Sequence, residues 1–291
     1  MTISIRSEAT GGTTTSSLVV SKPGDVQDND LLFLIVGSQH GLLAITPPDD
    51  WFSWGKGAST SGNDTFLEVF AHFVVESDNE PASYTFVCSI EGVSVGWWVG
   101  SLSTTDLTIG LDQAISFANR QNDTSPNTPG LTTVVDNTLA FAAWAVSVDS
   151  TTTPPGAPWA TRADNVGGNG VLSVSSQAFP TASTSTGTPE VTDVAANQEA
   201  ETAMIVLRDN APTAVRIEQA GAYVEILRNS VGLEQAGIYV ETGGQNIRLE
   251  QVGIYVETID RQLHIEQAGI YVEYIDVPIV AQGRSQIIII G

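Results

Sequence analysis

The residues of this chain that could do chemistry are mostly acids, 33 Asp and Glu against 11 Lys and Arg. Pairs such as Asp49-Asp50, Glu68 with Glu76, and Glu199 with Glu201 have the composition of a glycosidase. That reaction needs two carboxylates, one to protonate the leaving oxygen and one to attack or to activate water. With so many acids, chance pairs are expected, and solvated surface is the reading adopted. His40, His72 and His264 are far apart, and none falls in a metal-ligand spacing. His72, inside "FAHFVV", reads as a satisfied core or edge histidine. Cys88 is the single cysteine, so no intrachain disulfide can form, and within "YTFVCS" it reads as a small buried hydrophobe. "DVQDND" at 25–30 offers oxygens to a structural cation but lacks a bidentate acid at calcium-loop distance. A plain turn is expected there, with no metal site and no cofactor. There is no Gly-x-Ser-x-Gly elbow, Walker loop or dinucleotide fingerprint. The chain reads as a non-enzyme.

Six tryptophans are the other candidates, because sugars stack on aromatic rings. Trp144, in "LAFAAWAV", belongs to a core. Trp51 and Trp54, in "PPDDWFSWGKG", could present a glycan platform beside Asp49 and Asp50. Set against that, loop tryptophans more often lid a sandwich, since large aromatics dominate burial.

The net charge of −22 repels phosphate backbones, which argues against nucleic acid and anionic lipid as partners. The start "MTISIRSEATGG" lacks the basic-then-apolar pattern of a secretory signal, and no apolar run approaches spanning length. A soluble protein is expected.

These side chains must be positioned by strands. Residues 1–210 alternate short β-branched and aromatic runs with breakers such as Pro23-Gly24, Pro47-Pro48 and Pro154-Pro155. No stretch there keeps helical periodicity beyond two turns. The pattern predicts an all-β fold, a two-sheet sandwich of jelly-roll type. The nearly continuous apolar runs "LLFLIV" and "LAFAAWAV" are expected in its centre, covered on both faces. Pro212, in "APTAV", marks the boundary with a second region at 211–276, followed by a tail at 277–291.

That second region spells almost the same ten residues four times, "IEQAGAYVEI", "LEQAGIYVET", "LEQVGIYVET" and "IEQAGIYVEY", starting at 217, 233, 249 and 265. The recurring glycine, which includes Gly237 and Gly253, suggests a turn at positive φ. The reading is four 16-residue β-hairpins, with Leu233 facing Val240 and Glu234 facing Tyr239 around Ala236-Gly237. Leu249, Tyr255 and Val256 repeat the pattern. Opposite charges, Arg216 with Glu225 and Arg248 with Glu257, favour that register. One hairpin cannot bury its apolar face, so the copies must pack on each other or on other chains. A homotrimer is expected. Simple stacking would also set glutamates in columns that repel.

The runs "KPGDVQDNDLLFLIVGS", "ITPPDDW", "EPASYTFVCS" and "PGLTTVVDNTLAFAAWAV" resemble virion proteins of tailed phages, over roughly residues 16–150. The resemblance is to β-sandwich modules of capsid-attached fibres, decoration proteins and tail appendages, and the tandem repeat is similar in scale to viral fibre shafts. It implies a structural protein assembled in the host cytoplasm onto a virion, with capsid proteins as partners. Two alternatives stand beside it: a carbohydrate-binding adsorption module using Trp51 and Trp54, and a glycoside hydrolase.

Overall fold

The computed structural model describes residues 3–58, 65–104, 109–147, 152–167, 171–192, 194 and 199–209, and the strands given below between 215 and 290. The chain is all-β, and the described residues contain no α-helix, only a short 3-10 turn at Ser77–Asn79. It divides into two compact units, Met1–Asn210 and Ala211–Gly291.

The first unit begins with β1 (Ser4–Thr13), β2 (Ser17–Ser21), β3 (Leu31–Ser38), β4 (Ile45–Thr46), β5 (Phe52–Ala58), β6 (Phe66–Phe73), β7 (Ser83–Cys88) and β8 (Val95–Ser103). Five of these form an antiparallel sheet in the order β1-β8-β3-β6-β5, and β2-β7-β4 form a smaller one. The chain continues through β9 (Ile109–Leu111), β10 (Ser116–Gln121), β11 (Thr138–Val146), β12 (Ala160–Val166), β13 (Leu172–Phe179) and β14 (Glu199–Asp209). Their sheet runs β10-β14-β11-β13-β12, with β9 also on β14.

The two large sheets have one topology. Matching β1, β3, β5, β6 and β8 with β10, β11, β12, β13 and β14 turns the first strand order into the second. Even the small sheet has a counterpart, in the bridges Asn127↔Glu190, Thr132↔Ser185 and Thr153↔Thr192. The correspondence reaches single atoms. Asn29 and Asn137 both take positive φ, 67° and 59°, ahead of the central strand. The aspartate before each accepts a backbone N–H from the far side of the module, Asp28 from Ser77 at 2.8 Å and Asp136 from Ala182 at 2.6 Å. The unit that reads as one sandwich is therefore one module built twice. Its signature lies in the text: Pro-Gly, then Asp-Asn-x-Leu-x-Phe, then Thr-Pro-Pro and Trp recur at a nearly constant offset.

The copies pack through their large sheets. Phe33 and Phe141 occupy the same module position and meet with ring centroids 5.1 Å apart. Trp98 fits against both, facing alanines 143, 145 and 203 of the other sheet. Near the edge the backbones approach so closely that a Cβ on Gly12 would lie 2.3 Å from the Cα of Gly167. The outer face of the first sheet is covered by β2 and β7 through Leu18, Val20, Tyr84 and Phe86. The outer face of the second is covered by Val191 and Val194, with Leu131 and Trp159 packed against the same cluster. Both central strands are consequently enclosed on two faces, and every residue of β3 and β11 is buried, as their unbroken apolar runs predict.

The second unit departs from the hairpin expectation. Its strands are β15 (Val215–Ile217), β16 (Tyr223–Ile226), β17 (Val231–Leu233), β18 (Tyr239–Thr242), β19 (Ile247–Leu249), β20 (Tyr255–Thr258), β21 (Leu263–Ile265), β22 (Ile270–Tyr274), β23 (Ile279–Ala281) and β24 (Ile287–Ile290). The odd-numbered strands form one parallel sheet and the even-numbered ones another. Leu233 pairs with Leu249, and Tyr239 and Val240 pair with Tyr255 and Val256, so Leu233 and Val240 belong to different sheets. Arg216 is aligned with Gly232, not with Glu225. Parallel stacking explains the strict period: each step adds one strand to each sheet, and identical residues align. The tail joins in, since β23 and β24 extend both sheets with one extra residue before β24. Gly237 and Gly253 lie outside the described residues.

Parallel register aligns Glu225, Glu241, Glu257 and Glu273 in one column. At the ~4.8 Å spacing of neighbouring strands, like charges cost about 1 kcal/mol per pair even in water. The melting transition of this unit in the full chain should therefore rise by several degrees on adding sodium chloride or calcium at neutral pH. Flat or falling titrations would show that the column carries no uncompensated repulsion.

Candidate functional site

The Thr-Pro-Pro segment after each module's central strand ends on a tryptophan, and the two copies differ in what surrounds it. In the first module, Trp51 is 5% exposed. It stacks on His72 at 5.4 Å and meets Tyr84 and Phe86 edge-on at 5.1 and 5.3 Å. His72 Nε2 lies 2.9 Å from a Glu80 carboxylate oxygen and Nδ1 3.1 Å from the Asp50 carbonyl, so both ring nitrogens have partners. The Tyr84 hydroxyl donates to the other Glu80 oxygen. Burial pushes that phenol far above its ordinary range, and the bond and charge of Glu80 push it further. A histidine, a glutamate and a tyrosine thus converge, but beneath Trp51, where they satisfy one another.

The proposed platform of Trp51 and Trp54 is corrected accordingly. Trp51 belongs to the outer core of the first module, while Trp54 packs against the core between the large sheets, 5.7 Å from Phe33. The two rings serve opposite faces of one sheet and share no surface.

The acid pairs do not assemble either. Glu76 is exposed, whereas Glu68 is buried and accepts from Ser53 at 2.8 Å. Burial raises the Glu68 pKa, with Ser53 and Lys56 opposing. Glu201 is 3% exposed, on the face of β14 that meets the first module. Desolvation lifts it to about 7, against a hydrogen bond from Asn119, and the Glu199 charge adds to the rise. A Cβ on Gly57 would sit 2.4 Å from its Oε1, so protein fills the space where a substrate would have to lie. Solvated surface is thus the wrong description of Glu68 and Glu201, although neither faces an opening.

Two acids of "DVQDND", Asp28 and Asp30, have protein partners. Asp30 accepts from Arg6 at 2.9 Å, from Ser101 at 2.6 Å and from the Gln27 N–H at 3.0 Å. Among the described residues no group of three or more His, Cys, Asp or Glu is arranged to hold a metal. Cys88 is buried, which raises its thiol pKa. No described helix is long and apolar enough to cross a membrane.

In the second module the corresponding place is open. Trp159 is half-buried, resting edge-on against Phe179 at 6.3 Å. A groove of about 490 Å³ runs beside it, between Thr153-Pro154-Pro155-Gly156 and Thr188-Pro189-Glu190. The sequence reading missed this groove, although "TPPGAPW" echoes "TPPDDW" closely enough to have marked Trp159 as the counterpart of Trp51. No protein-family model matches the chain, and no curated protein or solved structure matches it.

Proposed function

We propose that this chain is a non-enzymatic structural protein of a tailed-phage virion, a capsid decoration or fibre component. The observation that supports it best is the in-register parallel stack of residues 215–290, which is a way of building length by repetition rather than of shaping a reaction centre. Among the described residues, its first strands, β15 and β16, and its last, β23 and β24, each have a neighbour on one side only. Such strand edges pair readily with another chain. On this reading the unit is a short β-solenoid that self-associates, as a homotrimer, or docks on a capsid protein. The earlier reason for a multimer, hairpins with bare apolar faces, gives way to these open ends.

The first unit fits the same reading. Strand order β1-β8-β3-β6 over β2-β7-β4 supports reading each module as jelly-roll-like, an architecture used in viral capsids and in lectins. Two such modules packed face to face make a rigid head.

Light scattering of the full chain against a version ending at Asn210 tests the assembly. The full chain should run as a trimer and the shortened one as a monomer. Monomers in both cases would remove the stalk from the proposal. Absence of the chain from purified particles of a phage that encodes it would remove the virion.

A further inference from the structure

The open groove of the second module gains meaning from the closed one in the first. The pairings Thr46↔Val87 and Thr153↔Thr192 place Pro189 where the first module has Tyr84, and Val191 where it has Phe86. The pairings Leu31↔Phe73 and Leu139↔Ala178 likewise place Gln177 where the first module has His72. All three aromatic neighbours that enclose Trp51 are thus replaced around Trp159 by residues without an aromatic ring, Pro189, Val191 and Gln177. The tryptophan is retained and its cover is gone. An indole left half in water forgoes part of the burial that stabilises its counterpart, at about 25 cal/mol per Å².

We infer that the Trp159 groove binds a neutral sugar unit of a glycan. The indole offers a flat apolar surface, held at a set angle by Phe179, on which the C–H face of a pyranose can lie. Around it stand the groups that sugar hydroxyls need: the hydroxyl of Thr188 and the carboxylate of Glu190, with prolines 154 and 189 as rigid walls. Both rim residues are exposed, so a ligand in the groove can reach them. The volume suits about one or two pyranose rings. The charge of the chain, −22, and Glu190 itself select against sialylated, sulfated or uronic glycans. This site does not depend on the chain being part of a virion.

The test is an array of neutral and acidic oligosaccharides probed with the full chain, followed by saturation-transfer NMR on the neutral ligands bound. Neutral oligosaccharides should bind, and Trp159→Ala should weaken them by about tenfold or more. Glu190→Gln, an exposed change that leaves the melting temperature alone, should weaken them by about fivefold. Loss of binding in a folded Trp159→Ala chain supports the site. If that variant melts early, the Glu190→Gln result decides alone. The inference is overturned if no neutral glycan binds, if the deciding variant binds as the parent does, or if only acidic glycans bind. Binding of choline without any sugar would overturn it too, by showing a cation site built from Trp159 and Glu190.

Discussion

Trp98→Ala should destabilise the first unit by about 4 kcal/mol. Trp98 is fully buried at the meeting of the two modules, within 6.3 Å of Phe33 and 5.2 Å of Phe141, centroid to centroid. Its counterpart in the second module is Ala203, by the pairings Ile35↔Trp98 and Ala143↔Ala203. The two sheets are therefore complementary rather than equal: one indole fills the room left by the alanines opposite. Removing it leaves a cavity against the Phe33 and Phe141 rings, which its surroundings refill only in part. It also strips Glu8 of the indole N–H, which donates at 3.0 Å. Urea unfolding should show the midpoint falling with an unchanged slope, because the surface exposed on unfolding barely changes. A loss below about 1 kcal/mol would mean that the modules close up around the gap, and that the alanine-rich face does not depend on Trp98.

The second large effect concerns pH and comes from Glu201. In the fold its pKa stands at about 7, above the ordinary 4.5 of an exposed glutamate, because burial penalises the carboxylate. Below the ordinary value both folded and unfolded chains hold the proton, and no penalty exists. As pH rises toward 7 the unfolded chain ionises first, so stability falls across that window and stays low above it. The full swing is on the order of 3 kcal/mol. One oxygen, Oε2, has no hydrogen-bond partner, so an ionised side chain there is poorly compensated. Glu201→Gln keeps the shape and cannot ionise. It should match the parent near pH 4 and exceed it by about 2–3 kcal/mol at pH 8. Stability curves of the two proteins running parallel from pH 4 to 8 would show that Glu201 is solvated in the folded chain. Comparing the two cancels the titration of the other acids, which both share.

Much of this architecture was legible in the residues. Apolar runs without polar alternation can sit only where both faces are covered, and β3 and β11 do so. Turn chemistry at Asp28-Asn29 and Asp136-Asn137 was visible because left-handed backbone is cheap for asparagine. The sixteen-residue period was plain as well, but not which strand each copy pairs with. Each residue offers the same backbone donor and acceptor whether its strand folds back on its own copy or stacks on the next, so the period alone suited both hairpins and parallel sheets. The alignment Tyr239↔Tyr255 is a choice made in three dimensions.

The tryptophans and acids teach the same distinction more sharply. Residue type and local spacing treat Trp51 and Trp159 alike, since each follows Thr-Pro-Pro. What separates a core ring from an open one is the strand that crosses above it, with Tyr84 and Phe86 over Trp51 and Pro189 and Val191 at those positions beside Trp159. Glu201 looks in sequence like one more surface acid among 33. Its burial follows from the first module lying over β14, a contact made by residues more than a hundred positions away. Composition and periodicity report what a segment can do on its own, namely form a strand, turn or repeat. Exposure, ionisation and access to a ligand depend on what packs against that segment, so only the tertiary structure could decide them.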